Sequence, residues 1–351
     1  MNEDLITVKK EKPPIIQVIV TAVFVTIMVF ISDMHKALYV LSLAAILFAI
    51  PYGVYFMSKV IISLKDKEKF VVINRKSLKN KEAEAFVKEN RRITDKYHLI
   101  KSILFSVILT AELSYIGFNV PLGPKRSRMI VISFIIAFAI YVYMDSSLRK
   151  TISKRNKTIV AMCDPEYIYE LMDLTRMQIL TDLEKSITLY VQALASYYMD
   201  DYDNMFLKIE KVGEINKNKG LEVSAAELQG AACIKMGNVE GYSDAYELIY
   251  SLQEDNPKDK KLHTICDSAI RRLNVQFGLS ERTPDKVLDL AVESVNEQNI
   301  YELVRMEYTF ILAELQEMKG LTELAQANYK TVAEYGDKMK IRDIAAERIA
   351  G

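Results

Sequence analysis

The sequence predicts an all-α chain in two parts, four transmembrane helices followed by a cytosolic α-solenoid of stacked helical hairpins. Three observations lead there. Apolar stretches crowd residues 14–31, 37–57, 99–119 and 129–144, and almost none of comparable length follows. The first three reach or approach the ~20 residues that a helix rising ~1.5 Å per residue needs to cross a ~30 Å hydrocarbon layer. Beyond residue 157 the chain is polar, its apolar residues recur at helical spacing, and turn residues interrupt it at short intervals. The boundary therefore falls between a transmembrane domain over 1–157 and a helical repeat domain over 158–351.

Charge gives the orientation. The formal sum is zero, with 46 basic and 46 acidic residues, but 25 of the basic and only 12 of the acidic ones precede the boundary. The front half is thus strongly basic and the back half strongly acidic. Lys and Arg gather on the cytoplasmic side of spanning helices. One side collects Lys9, Lys10 and Lys12, eleven basic residues between Lys65 and Lys96, and Arg149, Lys150, Lys154, Arg155 and Lys157. The other side holds only Lys36, Lys125, Arg126 and Arg128. This asymmetry predicts a multi-pass plasma-membrane protein with both termini in the cytosol. The first stretch reads as a retained span because it is longer than a signal core and no small-x-small cleavage pattern precedes Ser32 and Asp33.

Taken in order, the first two spans are separated only by residues 32–36, which predicts a tight antiparallel hairpin. Pro51 and Gly53 sit in the second span, where the loss of a backbone donor and of a side chain permits a bend. A basic cytosolic loop follows over 65–98. Its apolar island at residues 70–73 suits a short strand or a dip into the interface. After it, Ala83, Phe86, Val87, Asn90, Ile93 and Tyr97 fall at helical spacing, with Lys88, Arg91, Arg92 and Lys96 largely elsewhere around the turn. That amphipathic helix runs into the third span. The basic stretch 79–96 has three destinations: lipid headgroups, water, or the acidic repeat domain of the same chain. Glu112 is the one acidic residue well inside a span, and burying a lone carboxylate in hydrocarbon costs at least ~2.5 kcal/mol. It is the candidate intramembrane functional residue. Lys59 and Lys101 lie near inner ends, where long side chains snorkel.

From residue 164 onward, helices of 12 to 20 residues alternate with turns at Asp200 and Asp201, Gly220, Gly237 and Asn238, Asn256 and Pro257, Thr283 and Pro284, Gly320 and Gly336. Such helices form antiparallel hairpins. Aligning the turns places a small residue seven positions before each: Ala193, Gly230 and Ala313. After the turns come Met205, Ile209 and Val212, then Ala245, Ile249 and Leu252, then Ala325, Tyr329 and Val332. A more degenerate pair lies between them, with Leu262, Ile265, Ala269, Leu273 and Phe277 on its first helix and Val287, Leu288, Ala291 and Val295 on its second. Residues 338–350 read as a solvating cap.

This spacing resembles the tetratricopeptide repeat, a ~34-residue helical hairpin with small residues at its eighth and twentieth positions. The resemblance covers about residues 184–336 and departs from the family at Met205, in about three extra residues within 239–243 and in the absence of tryptophan. It implies a TPR-like α-solenoid whose inner-helix face holds a protein or peptide partner. On a multi-span anchor the combination resembles bacterial membrane proteins. Tyr190, Tyr197 and Tyr198 crowd the first repeat and are the candidate partner-binding residues, because tyrosine gives large contact area at low entropic cost. Core packing is the competing role for such a stripe. The family's basic clamp for a terminal carboxylate has no counterpart here.

Little in the chain points to chemistry. Phosphate-binding and nucleophile-elbow motifs are absent, and glycine numbers 12 in 351 residues. Cys163, Cys233 and Cys266 are widely spaced and the three histidines are scattered, which predicts no metal site and no cofactor. Asp200, Asp201 and Asp203 suit a helix cap better than a calcium loop. No basic groove interleaved with aromatics offers a nucleic-acid surface. The expectation is a non-enzymatic, membrane-anchored interaction or scaffold protein. The alternative is a transporter or channel component regulated by its solenoid.

Overall fold

The computed structural model describes residues 5–10, 12, 14–31, 36–65, 70–74, 78, 80–121, 123–178, 180–298 and 300–350. The predicted hairpin turn at 32–35 and much of the basic loop, at 66–69, 75–77 and 79, lie outside the described residues. Among the described residues there are fourteen helices and two short strands. The chain divides into two compact units, one of Met1–Ile73, Glu84–Asn156 and Met177–Ile179, the other of Asn74–Ala83, Lys157–Arg176 and Leu180–Gly351.

In the first unit, strand β1 (Leu5–Lys9) pairs with β2 (Phe70–Asn74). The apolar island is therefore a strand, as its run of β-branched residues favours. Four helices follow the chain: α1 (Ile15–Ile31), α2 (Lys36–Lys65), α3 (Lys81–Asn119) and α4 (Pro124–Val160). Among the described residues three helices are long and apolar enough to cross a membrane, over Leu43–Lys65, Lys81–Asn119 and Pro124–Leu148. In α1 the stretch Ile15–Phe24 is apolar but shorter than these three. Leu47, Leu109 and Ala137 form a small core joining α2, α3 and α4, and Ser106 donates to the Ala44 carbonyl. Gly53 is where α1 and α2 approach closely, since a Cβ there would stand 3.1 Å from Thr21 Cγ2. Outward-facing Val107, Val131, Phe138 and Tyr143 stay exposed. Surfaces so apolar call for a non-aqueous neighbour.

The sequence boundary puts residues 74–83 in the transmembrane half, yet Asn74–Ala83 groups with the second unit. Asn80 explains this. Its side-chain oxygen caps α3 by accepting the Ala83 amide at 3.0 Å, and its Nδ2 donates to Glu170 Oε2 at 2.7 Å. Ala83 is fully buried.

The second unit begins with α5 (Pro165–Arg176) and continues as four hairpins. These are α6 (Asp182–Tyr198) with α7 (Tyr202–Ile215), α8 (Lys219–Lys235) with α9 (Val239–Glu254), α10 (Lys260–Ser280) with α11 (Pro284–Val295), and α12 (Glu302–Met318) with α13 (Thr322–Tyr335). Helix α14 (Lys340–Ala350) closes the chain. Each hairpin turns in the same way. Asp200, Gly237, Arg282 and Gly320 all adopt positive φ, between 54° and 73°. At each turn the next amide bonds back to the carbonyl five residues earlier: Asp201 to Ser196, Asn238 to Cys233, Thr283 to Gly278 and Leu321 to Gln316. This is the left-handed C-terminal cap that satisfies the last helical carbonyls. Its fourfold recurrence is the strongest repeat signature in the molecule.

The small residues behave as the alignment requires. Ala193 and Ala313 are fully buried, and a Cβ at Gly230 would stand 3.2 Å from Ala245 Cβ. The third hairpin differs, with Val275 at the aligned place. Its close approach moves three residues on, to Gly278, where a Cβ would stand 2.5 Å from Val287 Cγ1. The two ends of the unit are also joined. Lys338 donates its backbone amide to Cys163 O at 3.1 Å and its ammonium to Asp164, which itself caps α5 through Tyr167 N.

Candidate functional site

Helices α6, α8, α10 and α12 turn polar side chains toward one another, with Arg272 and Glu307 buried among them. Helix α6 is held at its start by a capping box, Thr181 with Glu184, which satisfies two orphan amide donors. At its other end Tyr197 and Tyr198 are 1% and 9% exposed. Both hydroxyls donate to the Glu307 carboxylate of α12, at 2.8 and 2.9 Å. Lys235 of α8 pairs with the same carboxylate at 2.8 Å and lies 4.0 Å from the Tyr197 ring centroid. Gln276 of α10 donates to the Tyr197 hydroxyl at 3.4 Å. One carboxylate thus ties the first, second and fourth hairpins, and the third reaches it through Tyr197.

A second cluster adjoins it. The Arg272 guanidinium of α10 forks onto Glu227 of α8 at 2.5 and 2.6 Å and bonds Glu297 at 2.6 Å. Arg271 also reaches Glu297, at 2.7 Å. Tyr308 is buried and donates to the Arg272 carbonyl at 3.2 Å. Burial alone would lower the Arg272 pKa, but the Glu227 and Glu297 carboxylates outweigh it and hold the group firmly charged. Burial, then the Glu307 charge, pushes the Tyr197 and Tyr198 hydroxyls well above the usual phenol range, so they remain donors.

The three predicted partner-binding tyrosines therefore do not form an exposed patch. Tyr197 and Tyr198 are core residues with satisfied hydroxyls, and Tyr190 is half-buried, its pKa raised by burial and then by Glu227. The groove expected along the inner helices is filled at this level by the chain's own side chains. Glu307, the hub, carried no sequence signal, because its partners lie up to 110 residues away.

In the first unit, Glu112 is half-buried and its Oε2 has no hydrogen-bond partner. It does not join the charged cluster nearer the other end of α3. Lys101, expected to snorkel, is instead 4% exposed and pairs with Asp145 of α4 at 3.0 Å, its ammonium 3.9 Å from the Tyr141 ring. The two charges lie 44 residues apart in sequence, and antiparallel α3 and α4 bring them to one level. Beside them the Tyr55 hydroxyl donates to Asp95 at 2.6 Å and the Tyr55 ring stacks on His98.

Nucleophiles are poorly placed. Cys163, Cys233 and Cys266 are free and buried, and burial, followed by the charge of Glu302, pushes the Cys163 thiol up to about 12. No group of His, Cys, Asp and Glu side chains suited to a metal occurs among the described residues.

Lys208 of α7 is 7% exposed, with its ammonium 5.6 Å from the Tyr169 ring. Burial lowers its pKa from the ordinary 10.5 to about 8. Below pH 8 the lysine is protonated in both folded and unfolded chains, so the burial penalty is constant. Between pH 8 and 10.5 the unfolded chain retains this proton while the folded one has released it, so the contribution of Lys208 to stability climbs with pH, opposite in sign to that of the buried thiols and phenols. Lys208→Met is expected to stabilise the protein by about 1–3 kcal/mol at neutral pH and to abolish that climb. Chemical denaturation across this range, read by the exposure of the three buried thiols, checks both.

No family model, no curated protein and no solved structure matches this chain.

Proposed function

We propose that the chain is a membrane-anchored protein–protein interaction or scaffold protein. Four spanning helices hold a TPR-like helical repeat domain at the inner face of the plasma membrane, with both termini in the cytosol. The observation that carries this reading is the recurrence of one turn in four successive hairpins on a chain with three helices able to cross a membrane. Stacked hairpins of this kind present extended surfaces and act by binding. Anchoring confines that surface to a thin layer, which raises its effective concentration for membrane-localised partners without any new contact. The filled inner faces favour a folded partner on the outer helices and turns over a peptide threaded between the inner ones.

Two further parts of the reading have separate support. The basic stretch 79–96 docking on the acidic repeat domain draws on the Asn80–Glu170 bond. Against it, Lys88, Arg91 and Arg92 find Glu84, Asp95 and Glu89 on their own helix. The transporter alternative draws on Glu112, whose buried oxygen lacks a partner. One experiment separates the readings. Crosslinking from cysteines placed on α9 and α13, in intact cells, is expected to capture the same membrane-localised partner from the wild type and from Glu112→Gln. Protease added outside those cells should leave the carboxy-terminal half intact. Digestion of that half overturns the orientation, and failure of Glu112→Gln to be crosslinked, with its fold retained, overturns the scaffold.

A further inference from the structure

A pocket of about 490 Å³ lies among α11, α12 and α13, with Ala161 at its rim. That is the size of a small-molecule site, and such sites pair apolar walls with a few polar groups that fix orientation. The apolar lining here is Val295, Met306 and Tyr335. Most of the polar groups around it are spent. Thr309 and Thr331 donate to carbonyls of their own helices, at 2.8 and 3.0 Å, and the Asn328 amide donates to Gln316 at 2.8 Å.

Arg305 and Glu302 are different. They stand one turn apart on α12, and their closest approach is 3.9 Å, too long for a hydrogen bond. Arg305 Nε is buried without a hydrogen-bond partner, and the guanidinium's bond to the Glu297 carbonyl is a long 3.3 Å. The two side chains are 36% and 29% exposed, so a loose pair of this kind contributes little on its own. A bare anion would meet Glu302 and a bare cation would meet Arg305. A ligand carrying both charges on one carbon satisfies both, and it fits the short spacing that a longer zwitterion would overrun.

We propose that this pocket binds a free α-amino acid with an apolar side chain, its carboxylate on Arg305, its ammonium on Glu302 and its side chain against Val295, Met306 and Tyr335. The repeat domain is then a sensor as well as a surface, because the ligand joins the third hairpin to the fourth. Binding to the folded state alone also raises stability by mass action.

The test is calorimetric titration of the full-length protein in detergent with L-leucine and L-phenylalanine. Two analogues complete it: 2-phenylethylamine, which lacks the carboxylate, and 3-phenylpropionate, which lacks the ammonium. The expected result is a Kd of about 1 mM or below for an amino acid, with both analogues at least about tenfold weaker. Arg305→Gln and Glu302→Gln should each weaken binding by about tenfold or more. Thr331→Phe fills the pocket without touching the ion pair and should abolish binding while the thiols stay protected. Absence of binding by the wild type overturns the proposal, as does undiminished binding by Arg305→Gln or by Thr331→Phe. Equal binding of 3-phenylpropionate overturns the zwitterion assignment.

Discussion

Arg272→Met is expected to lower the stability of the repeat unit by about 3–5 kcal/mol, the range for breaking a buried ion pair by removing one partner. The guanidinium makes three short bonds to two carboxylates, one on α8 and one in the loop after α11, and it is only 8% exposed. Methionine matches its stem but leaves Glu227 and Glu297 facing each other. Those carboxylates are 15% and 20% exposed, so some water reaches them and the loss falls toward the lower figure. For a unit of this size the thermal midpoint should drop by about 10 °C. The double variant Arg272→Met with Glu227→Leu should recover much of the loss, because a desolvated pair replaced by packed apolar groups is often neutral. The three thiols, all buried and all in this unit, give a direct readout through their labelling rates. Arg272→Met labelled no faster than wild type would mean that the cluster does not hold the second and third hairpins together.

Glu307→Ala has the second largest expected effect. It removes the acceptor of two buried tyrosine hydroxyls and one ammonium. Lys235 is 38% exposed and can turn to water, but the tyrosines cannot. Each buried group left without a partner costs about 1–3 kcal/mol, so the loss should be about 3 kcal/mol. Glu307→Gln keeps an acceptor for one hydroxyl and should recover part of it. Hydrogen exchange should rise first in α6 and α12, since this contact joins hairpins far apart in sequence. Uniform exchange in the variant would contradict that assignment.

Which features were legible in the sequence follows from the range of the interactions that make them. Helical periodicity and small residues are local signals, and Ala193, Ala245, Ala313 and Ala325 are buried where that pattern put them. Gly237 and Gly320 announce their turns because glycine tolerates positive φ. Asp200 and Arg282 adopt the same conformation without glycine: Asp201 and the Thr283–Pro284 pair mark those turns in the sequence, but not which residue takes the positive φ. The third hairpin looked degenerate because its close approach uses Gly278 instead of the aligned position. Long-range pairings were out of reach. Lys101 with Asp145 and Tyr197 with Glu307 are separated by 44 and 110 residues, and no periodicity connects them. Tyr197 and Tyr198 stood out as aromatic, but only the three-dimensional contacts show that their rings face inward.

The hydrogen bond from Asn80 to Glu170 makes the molecule interleaved rather than modular. A fragment beginning at residue 157 would lack a stretch, residues 74–83, that belongs to its own fold, and would leave Glu170 without that amide. Residues 74–83 and helix α5 are thus bound to diverge together, although 90 positions of sequence lie between the two bonded side chains.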